Sequence, residues 1–350
     1  MIDSALRSNA YVRDILDQPA ALRNTVKALT ETDFSAFNFF TSQLSSGKLR
    51  RVVLTGMGSS YHALHPIFLA LIEHGLNARM IETSELIHYA PGLLEPSTLV
   101  IAVSQSGRSA EILHLLEKVQ GKVSLIGITN SPDNPLATRS DRALLTEAGV
   151  EGAVSCKTYV AALTALKILS QILTEQETAS MLTELQHAPE LVAQYLNHWE
   201  SHVEAALDNV TGIQFLMLAG RGASLAAAGT GGLIIKEAAH FPAEGMSCAA
   251  LRHGPLEMTS SQTLAVVYEG DGKTADINAA LVNDLRKAGG RAHLIRQSVD
   301  LDLFTLPQSP LTILPILEIL PAQMLSLALA LNQGHAPGQF ERGAKVTVVE

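Results

Sequence analysis

Residues 98–109, Thr98-Leu99-Val100-Ile101-Ala102-Val103-Ser104-Gln105-Ser106-Gly107-Arg108-Ser109, join an apolar β-branched run to a turn of hydroxyls, one amide and one glycine. The run predicts a buried strand, and the apolar spacing from Ala110 onward predicts a helix directly after the turn. The first backbone N–H groups of a helix have no partner within it, so they favour an anion at this junction. We therefore expect the turn, called here the serine loop (residues 104–109), to bind phosphate.

The composition excludes several classes of protein. Of the 350 residues, 47% are hydrophobic and 17% charged, which is typical of a well-packed globular chain long enough for two domains. The formal net charge of −9 argues against nucleic acid or an anionic membrane surface as a partner. Cys156 and Cys248 have neither metal-ligand spacing nor the density of a disulfide scaffold, and the N-terminus does not resemble a signal peptide. We therefore expect a cytoplasmic protein with reduced thiols.

Strand-like and helix-like patterns alternate from residue 49 to residue 173, which is typical of parallel strands joined by crossover helices. Residues 1–34 instead carry apolar side chains at helical spacing and predict an N-terminal helical arm. The most apolar run, residues 311–331, contains two prolines and a glutamate. It predicts a buried strand followed by a buried helix, and not a membrane span.

The second half of the chain repeats the first. Gly56-Met57-Gly58-Ser59-Ser60 follows one predicted strand, and Gly220-Arg221-Gly222-Ala223-Ser224 follows another, 164 positions later. The strand that begins at Thr98 has its counterpart at Thr263, an offset of 165. Strands in register at nearly constant offset indicate a duplicated unit.

These patterns predict an α/β fold of two tandem doubly wound, flavodoxin-like units with parallel sheets. We place the boundaries at residues 1–34 for the helical arm, 35–190 for the first unit, 195–340 for the second and 341–350 for a C-terminal tail. The tail is more apolar and β-branched than a frayed terminus, so we expect it to dock as a strand or against the core.

The two copies differ at the serine loop. Glu269-Gly270-Asp271 stands in the second copy where the first has Ser104-Gln105-Ser106. Two carboxylates beside a helix N-terminus repel an anion, so we expect one phosphate site per chain.

Other polar residues have both a structural and a chemical interpretation. Ser155 precedes a helical run and is either an N-cap or a ligand contact. Glu237, near the end of an apolar helix, is either a solvated carboxylate or an acid–base group, and His253 in the turn Arg252-His253-Gly254-Pro255 is either a loop residue or a catalytic one. The turn at residues 56–58 lacks the third glycine of a dinucleotide fingerprint.

Together, the motifs Gly-Ser-Ser, Ser-Gln-Ser-Gly-x-Ser and Lys-Glu followed by His-Gly-Pro resemble the sugar isomerase (SIS) domain family. The resemblance covers nearly the whole chain and is strongest to the double-SIS members, which include the isomerase half of glucosamine-6-phosphate synthase and the sugar-phosphate deaminases and deglycases. It implies that the phosphate of a hexose 6-phosphate is bound by Ser59, Ser60, Ser104, Gln105, Ser106, Ser109 and Ser155.

The resemblance also implies a catalytic set. The family's catalytic carboxylate falls on Glu237, and its ring-opening histidine falls on His253, which in relatives reaches the site of a neighbouring subunit. The family's C-terminal lysine falls on Lys345, within the tail. This implies a homodimer, and neither a cofactor nor a metal is expected in the reaction.

Three departures limit what the resemblance implies. No cysteine lies near residue 1 to serve as the nucleophile of a glutaminase domain, so we expect no glutamine-dependent synthesis from this chain alone. Ile234 stands where synthases place a lysine, three residues before Glu237, and loss of that cation should raise the pKa of the carboxyl group. Arg108 replaces an acidic residue in the serine loop, where it either adds a cation near the phosphate or projects into solvent.

The leading hypothesis is an amino-sugar phosphate deaminase and aldose–ketose isomerase, in which Glu237 moves a proton between C1 and C2 of a hexosamine 6-phosphate. A fructosamine-6-phosphate deglycase is the second, since it uses related proton transfers. A sugar-phosphate sensor without turnover is the third. The joint presence of Glu237, His253 and Lys345 and the lack of a basic helix-turn-helix segment argue against the sensor.

Overall fold

The computed structural model describes residues 4–347. The chain forms two compact units. The first-sheet unit comprises Ala20–Val150, Lys157–His187 and the described residues from Gly343 to Thr347. The second-sheet unit comprises the described residues from Ser4 to Pro19, Glu151–Cys156 and Ala188–Arg342. Each unit therefore takes up short segments from outside its own half of the sequence.

The first-sheet unit contains five parallel strands in the order β2-β1-β3-β4-β5. The central strand β3 is buried along its whole length, as its unbroken apolar run predicts. The strands are β1 (Arg51–Gly56), β2 (Ala78–Glu82), β3 (Thr98–Val103), β4 (Ser124–Thr129) and β5 (Arg142–Leu145). Its helices are α4 (Asn38–Ser45), α5 (Gly58–His62), α6 (His65–Glu73), α7 (Thr83–His88), α8 (Ala110–Val119), α9 (Pro135–Arg139), α10 (Lys157–Leu173) and α11 (Thr178–Leu185).

The second-sheet unit has the same topology, with five parallel strands in the order β10-β9-β8-β6-β7. The strands are β6 (Phe215–Gly220), β7 (Ala243–Ser247), β8 (Thr263–Tyr268), β9 (Arg291–Gln297) and β10 (Thr305–Leu306). The helices are α1 (Ser4–Ser8), α2 (Ala10–Leu16), α12 (Ala188–Leu196), α13 (Trp199–Val210), α14 (Leu225–Ala239), α15 (Cys248–Arg252), α16 (Ala275–Lys287), α17 (Leu314–Leu317) and α18 (Leu320–Asn332). Helix α3 (Gln18–Glu31) begins here and continues into the first-sheet unit.

The predicted fold class and its duplication are confirmed. Both sheets have the flavodoxin-like 2-1-3-4-5 order when each is numbered within its own copy. The repeat extends to single hydrogen bonds. The N–H of Ser104 donates to the carbonyl of Ile128 at 3.0 Å, and the N–H of its counterpart Glu269 donates to that of Ile295 at 2.9 Å.

The structure bears on three predictions about local structure: the strand at residue 311, the absence of a membrane span and the docking of the tail. The strand expected at the start of residues 311–331 is wrong, because this run folds as α17 and α18, each with a proline in its first turn. Leu314–Asn332 is long and apolar enough to cross a membrane, but 94% of its most apolar window is buried inside the protein. The described part of the C-terminal tail, to Thr347, forms no strand, and residues 348–350 lie outside the described residues.

Candidate functional site

The hydroxyls predicted to bind phosphate follow two adjacent strands. Gly56 at the end of β1 pairs in register with Val103 at the end of β3, so the turns after these strands lie at the same edge of the sheet. Ser59 and Ser60 lie in α5, directly after β1. The Ser59 hydroxyl is buried and has no hydrogen-bond partner among the described residues. A buried hydroxyl without a partner is costly, and a bound ligand would relieve that cost.

Hydrogen bonds between residues two and three apart stabilise the shape of the serine loop. The Ser104 hydroxyl accepts the N–H of Gly107 at 3.1 Å, and the Ser106 hydroxyl accepts the N–H of Arg108 at 3.2 Å. Gly107 has a φ of 61°, in the left-handed region that glycine adopts without strain. Ser104 is buried, whereas Gln105 and Ser106 are half-buried. The loop is thus preformed.

The loop after β4 packs against the serine loop and bonds to it. Sequence reasoning missed this contact. The carbonyl of Gln105 accepts bonds from the N–H of Asn130 and the hydroxyl of Thr129, both at 3.2 Å. Asn134 is buried, donates to Thr129 at 2.9 Å and lies so close to Gly107 that a Cβ on the glycine would fall 1.9 Å from its Oδ1. The only sequence signal for this role is the Asn134-Pro135 pair, which is typical of a helix start.

The C-terminal tail docks on the helix that follows the serine loop. The N–H of Ala110, the first residue of α8, donates to the carbonyl of Thr347 at 3.1 Å. Ser109, the N-cap of α8, makes no side-chain cap bond, so its hydroxyl is not used for capping. Because Lys345 is two residues from Thr347, chain geometry keeps its Cα within about 7 Å of the Thr347 Cα. The tail therefore brings Lys345 to the serine-loop end of α8.

The charged side chains near the serine loop are Arg108, which already has a hydrogen-bond partner, and Glu111, which is acidic. The Arg108 guanidinium is exposed and donates to the carbonyl of Asp133, in the supporting loop. Glu111, in the first turn of α8, is buried, and its Oε2 has no hydrogen-bond partner among the described residues. A carboxylate there is stabilised by the helix dipole and competes with an anion. The hydroxyls, not Arg108, are thus the groups presented to a ligand.

The predicted catalytic carboxylate lies in the second-sheet unit, on the last turn of α14. Glu237 is half-buried, and the adjacent Lys236 pairs with Glu244 of β7 at 3.9 Å. Helix α14 packs closely on that strand because Gly232 has no side chain: a Cβ there would fall 2.5 Å from the backbone nitrogen of Gly245. This close packing fixes the position of the helix that carries Glu237.

A buried tyrosine of the N-terminal arm interacts with Glu237. Burial raises the pKa of Tyr11 well above its usual value, and the acidic groups of Cys156, Glu237 and Glu151 raise it further. A 3.1 Å hydrogen bond with the Ser326 hydroxyl acts in the opposite direction. Tyr11 therefore remains a neutral hydroxyl in the surroundings of the Glu237 carboxylate. Sequence reasoning did not associate Tyr11 with Glu237.

Ser155 belongs to the second-sheet unit, unlike the other residues predicted to bind phosphate. It is half-buried in a segment whose ends are tied by the Glu151 carboxylate, which accepts the N–H of Cys156 at 2.9 Å. The carboxylate of Asp14 accepts the N–H of Gly152 at 2.9 Å and holds the same segment to the N-terminal arm. Cys156 is buried and forms no disulfide.

The predicted ring-opening histidine is exposed. His253 is the C-cap of α15, and its N–H donates to the carbonyl of Ala250 at 3.0 Å. The following Gly254 has a φ of 139° and turns the chain into a short 3₁₀ helix that begins at Pro255. The imidazole is therefore presented on a rigid turn at the surface of this unit.

The second copy fills the position equivalent to the serine loop with its own side chains. The Ser224 hydroxyl, counterpart of Ser60, donates to Oε1 of Glu318 at 2.7 Å. Burial raises the pKa of Glu318 to about 8; the bond from Ser224 lowers it and the charge of Asp271 raises it. The second copy therefore has the carboxyl group of Glu318 and the acidic residues Glu269 and Asp271 where the first copy has hydroxyls. This agrees with the prediction of one phosphate site per chain.

Two tandem flavodoxin-like units, one of which carries a hydroxyl-lined loop at its strand ends, define a class of α/β proteins that bind ligands at the carboxyl edge of a parallel sheet. The sequence model of the SIS domain matches residues 47–171 and 215–332, one segment in each copy. The chain belongs to the SIS domain family.

Curated relatives match nearly all of this chain. A glutamine–fructose-6-phosphate aminotransferase (isomerizing) of Pyrococcus horikoshii is 30% identical over 97% of the chain and 57% of its own length. One of Thermococcus kodakarensis is 29% identical over 100% of the chain and 60% of its own length. The chain thus spans a little over half the length of these relatives.

Solved structures share the fold. The C-terminal domain of glucosamine-fructose-6-phosphate aminotransferase from Francisella tularensis superposes with a TM-score of 0.84 at 22% identity, over 97% of this chain and all of that one. Glucosamine-6-phosphate deaminase from Thermotoga maritima gives a TM-score of 0.75 at 20% identity, over 97% and 100%. Tagatose-6-phosphate ketose/aldose isomerase from Escherichia coli gives 0.79 at 21%, over 97% and 96%.

Proposed function

We propose that this protein is a sugar-phosphate isomerase that acts on a hexosamine 6-phosphate, deaminating it and converting the aldose to a ketose 6-phosphate. The observation that carries the proposal is the buried, unpartnered Ser59 hydroxyl beside a preformed loop of hydroxyls, present in one copy of the repeat only. A buried hydroxyl at a strand edge is a suitable donor to a phosphate oxygen. The names of the relatives support this ligand, because fructose 6-phosphate, glucosamine 6-phosphate and tagatose 6-phosphate are all hexose 6-phosphates.

The proposed chemistry is proton transfer at the other end of the sugar. His253 assists opening of the ring, and Glu237 then moves a proton from C2 to C1 through a planar enolamine-like intermediate, which leaves an imine at C2. Water hydrolyses this imine, so that the C2–N bond breaks, ammonia leaves and a ketose 6-phosphate remains. A carboxylate can accept and return the same proton without forming a covalent bond. Binding of the phosphate by Ser59, Ser60, the serine loop and Ser155 supplies energy that orients C1 and C2, and Lys345 acts on the reacting end. We propose a cytoplasmic homodimer in which His253 serves the neighbouring subunit.

The substitution Glu237→Gln tests this mechanism. Removal of the acid–base group should lower kcat by about 10²–10⁴-fold in an assay that follows ammonia and ketose formation from glucosamine 6-phosphate. The affinity for the substrate should stay within a few-fold of wild type. Glu244→Gln is the matched control, because it removes an exposed carboxylate from the strand beside α14 and should leave kcat unchanged. Turnover by Glu237→Gln at the wild-type rate would eliminate Glu237 as the base.

A substrate panel decides between the reactions open to this chemistry. Ammonia and a ketose phosphate from glucosamine 6-phosphate support the deaminase. Release of an amino acid from a fructosamine 6-phosphate, without ammonia from glucosamine 6-phosphate, would identify a deglycase instead. Binding of either compound without product would identify a sugar-phosphate sensor.

A further inference from the structure

Two long helices of the second-sheet unit end side by side, and each ends on a histidine. Helices α14 and α18 pack along each other. His240 follows the last residue of α14, and His335 follows Gly334 at the end of α18, where its N–H donates to the carbonyl of Ala330 at 2.9 Å. The two imidazole rings lie with their centroids 5.2 Å apart.

The chain after α18 adds a carboxylate to this pair. The N–H of Gly338 donates to the carbonyl of Ala238 at 3.0 Å, and the side chain of Asn9 donates to the carbonyl of Pro337 at 3.0 Å. These two bonds hold the segment after His335 against the end of α14. They bring Oε2 of Glu341 to 4.0 Å from Nδ1 of His240.

The three side chains offer one ligand atom each, and these atoms all lie within 4.8 Å of one another. Around a tetrahedral Zn²⁺ with ligand distances of 2.0–2.1 Å, ligand atoms are separated by about 3.4 Å. All three side chains are exposed, so rotations of their terminal atoms can close the difference. Two imidazoles and one carboxylate suit a borderline first-row cation, and not Mg²⁺ or Ca²⁺, which prefer oxygen ligands.

The backbone adds two arguments for a cation. Each helix C-terminus carries the equivalent of about half a negative charge, and here two such ends are adjacent. His240 also has a φ of 50°, a left-handed conformation that is strained for a residue with a side chain and in which glycine is preferred. An imidazole is thus held where the fold alone favours glycine.

We propose that His240, His335 and Glu341 form a binding site for Zn²⁺ or a similar divalent cation of the first transition row. Water occupies the remaining coordination position, and the bound cation clamps the segment from His335 to Glu341 onto the end of α14. The site is independent of the proposed isomerase reaction, since none of these three residues is assigned to it. Among the described residues, His198 and His202 also stand four apart, on α13, but His202 is buried against Tyr195 and no third ligand is grouped with them.

Isothermal titration calorimetry of the tag-free full chain with ZnCl₂ tests the site. We expect one Zn²⁺ per chain and a concentration-dependent rise in Tm, because a ligand that binds only the folded state stabilises it. His335→Ala and Glu341→Gln should each weaken binding by at least about tenfold. His74→Ala is the control, because it removes an exposed histidine from the other unit and should leave the affinity unchanged. Mg²⁺ should produce no shift.

A second variant separates loss of ligand from loss of fold. His240→Gly removes a ligand but also removes the left-handed strain, so its Tm in EDTA should be higher than that of wild type, while the Tm rise with Zn²⁺ is lost. Glu175→Gly, at a φ of 55°, should share the gain in EDTA and keep the response to Zn²⁺. Binding weaker than about 1 mM by wild type, or wild-type affinity in His335→Ala and Glu341→Gln, would overturn the proposal.

Discussion

At the scale of single residues, Glu318 shows most clearly how the second copy of the repeat differs from the first. Its carboxyl group is buried beside the second copy's counterpart of the serine loop and accepts a hydrogen bond from Ser224. With a folded-state pKa of about 8, it remains protonated at neutral pH. The second copy therefore has a neutral carboxyl group at this position and not a charge.

This carboxyl group should make the stability of the protein fall as pH rises. In the unfolded chain Glu318 loses its proton near the usual glutamate pKa of 4.5, whereas in the folded chain it keeps the proton until about 8. Below about 4.5 both states are protonated, and above about 8 both are ionised. Between these values the unfolded state binds fewer protons, so the free energy of unfolding falls by up to about 1.4 kcal/mol per pH unit.

Glu318→Gln removes this dependence while its amide can still bond to Ser224. The variant should gain stability relative to wild type between pH 5 and pH 8, as measured by urea unfolding at both values. Glu257→Gln, which changes an exposed carboxylate of the same unit, should show no such gain. An equal difference between Glu318→Gln and wild type at the two pH values would contradict the prediction.

At the scale of elements, the serine loop depends on the glycine at its centre. Gly107→Ala adds a Cβ at a φ of 61° and forces it against Asn134, which supports the loop. We expect the affinity for a hexose 6-phosphate, measured by calorimetry, to fall by about tenfold or more, because the loop must move away from its preformed geometry.

Gly121→Ala provides a matched comparison. Gly121 has a φ of 69°, but nothing lies within 4 Å of the position of its added Cβ. This variant should lose about 1–2 kcal/mol of stability from backbone strain and keep its affinity for the sugar phosphate. Equal affinities in the two variants would mean that the shape of the serine loop does not matter for binding.

Among the elements, the sequence pattern predicted strands that are short apolar runs ending in a turn, and it missed strands whose stability comes from tertiary contacts. Strands β1 and β3 are buried apolar runs, and the sequence predicted a strand before Gly56 and one that begins at Thr98. Strand β2 has only half-buried and exposed residues, and β10 has two residues, so neither stands out from a loop. The error at residues 311–331 has the same origin, because a run that is apolar on every side has no period with which to distinguish strand from helix.

Some residues of the candidate site could likewise be predicted from the sequence, and others could not. Ser104 and Ser59 were predicted because hydroxyls follow apolar strands, and the pairing of β1 with β3 places these turns at one edge of the sheet. The support from Asn134, the closure by Glu318 and the grouping of His240 with His335 arise between segments distant in sequence. No local pattern encodes such contacts, so only the folded chain reveals them.

At the scale of the whole molecule, the two copies of the repeat carry different functional side chains. One copy has kept a loop of hydroxyls and the other has a carboxyl group in its place, while Glu237 and His253 both belong to the second-sheet unit. His253 is exposed on a rigid turn, so it is available to a second copy of the chain. If it acts there, each functional site needs residues from two chains.

Mixing two inactive variants tests this arrangement. Suppose that His253 of one chain serves Glu237 of the other. A dimer of one Glu237→Gln chain and one His253→Ala chain then contains one site with both changes and one site with neither. Random exchange of equal amounts should make half of the dimers mixed, so about a quarter of the wild-type activity should return. If both residues act within one chain, every site keeps one damaged residue and mixing restores nothing. The measurement is the rate of ammonia release before and after the two purified variants are unfolded together and refolded, with wild type carried through the same cycle to correct for recovery.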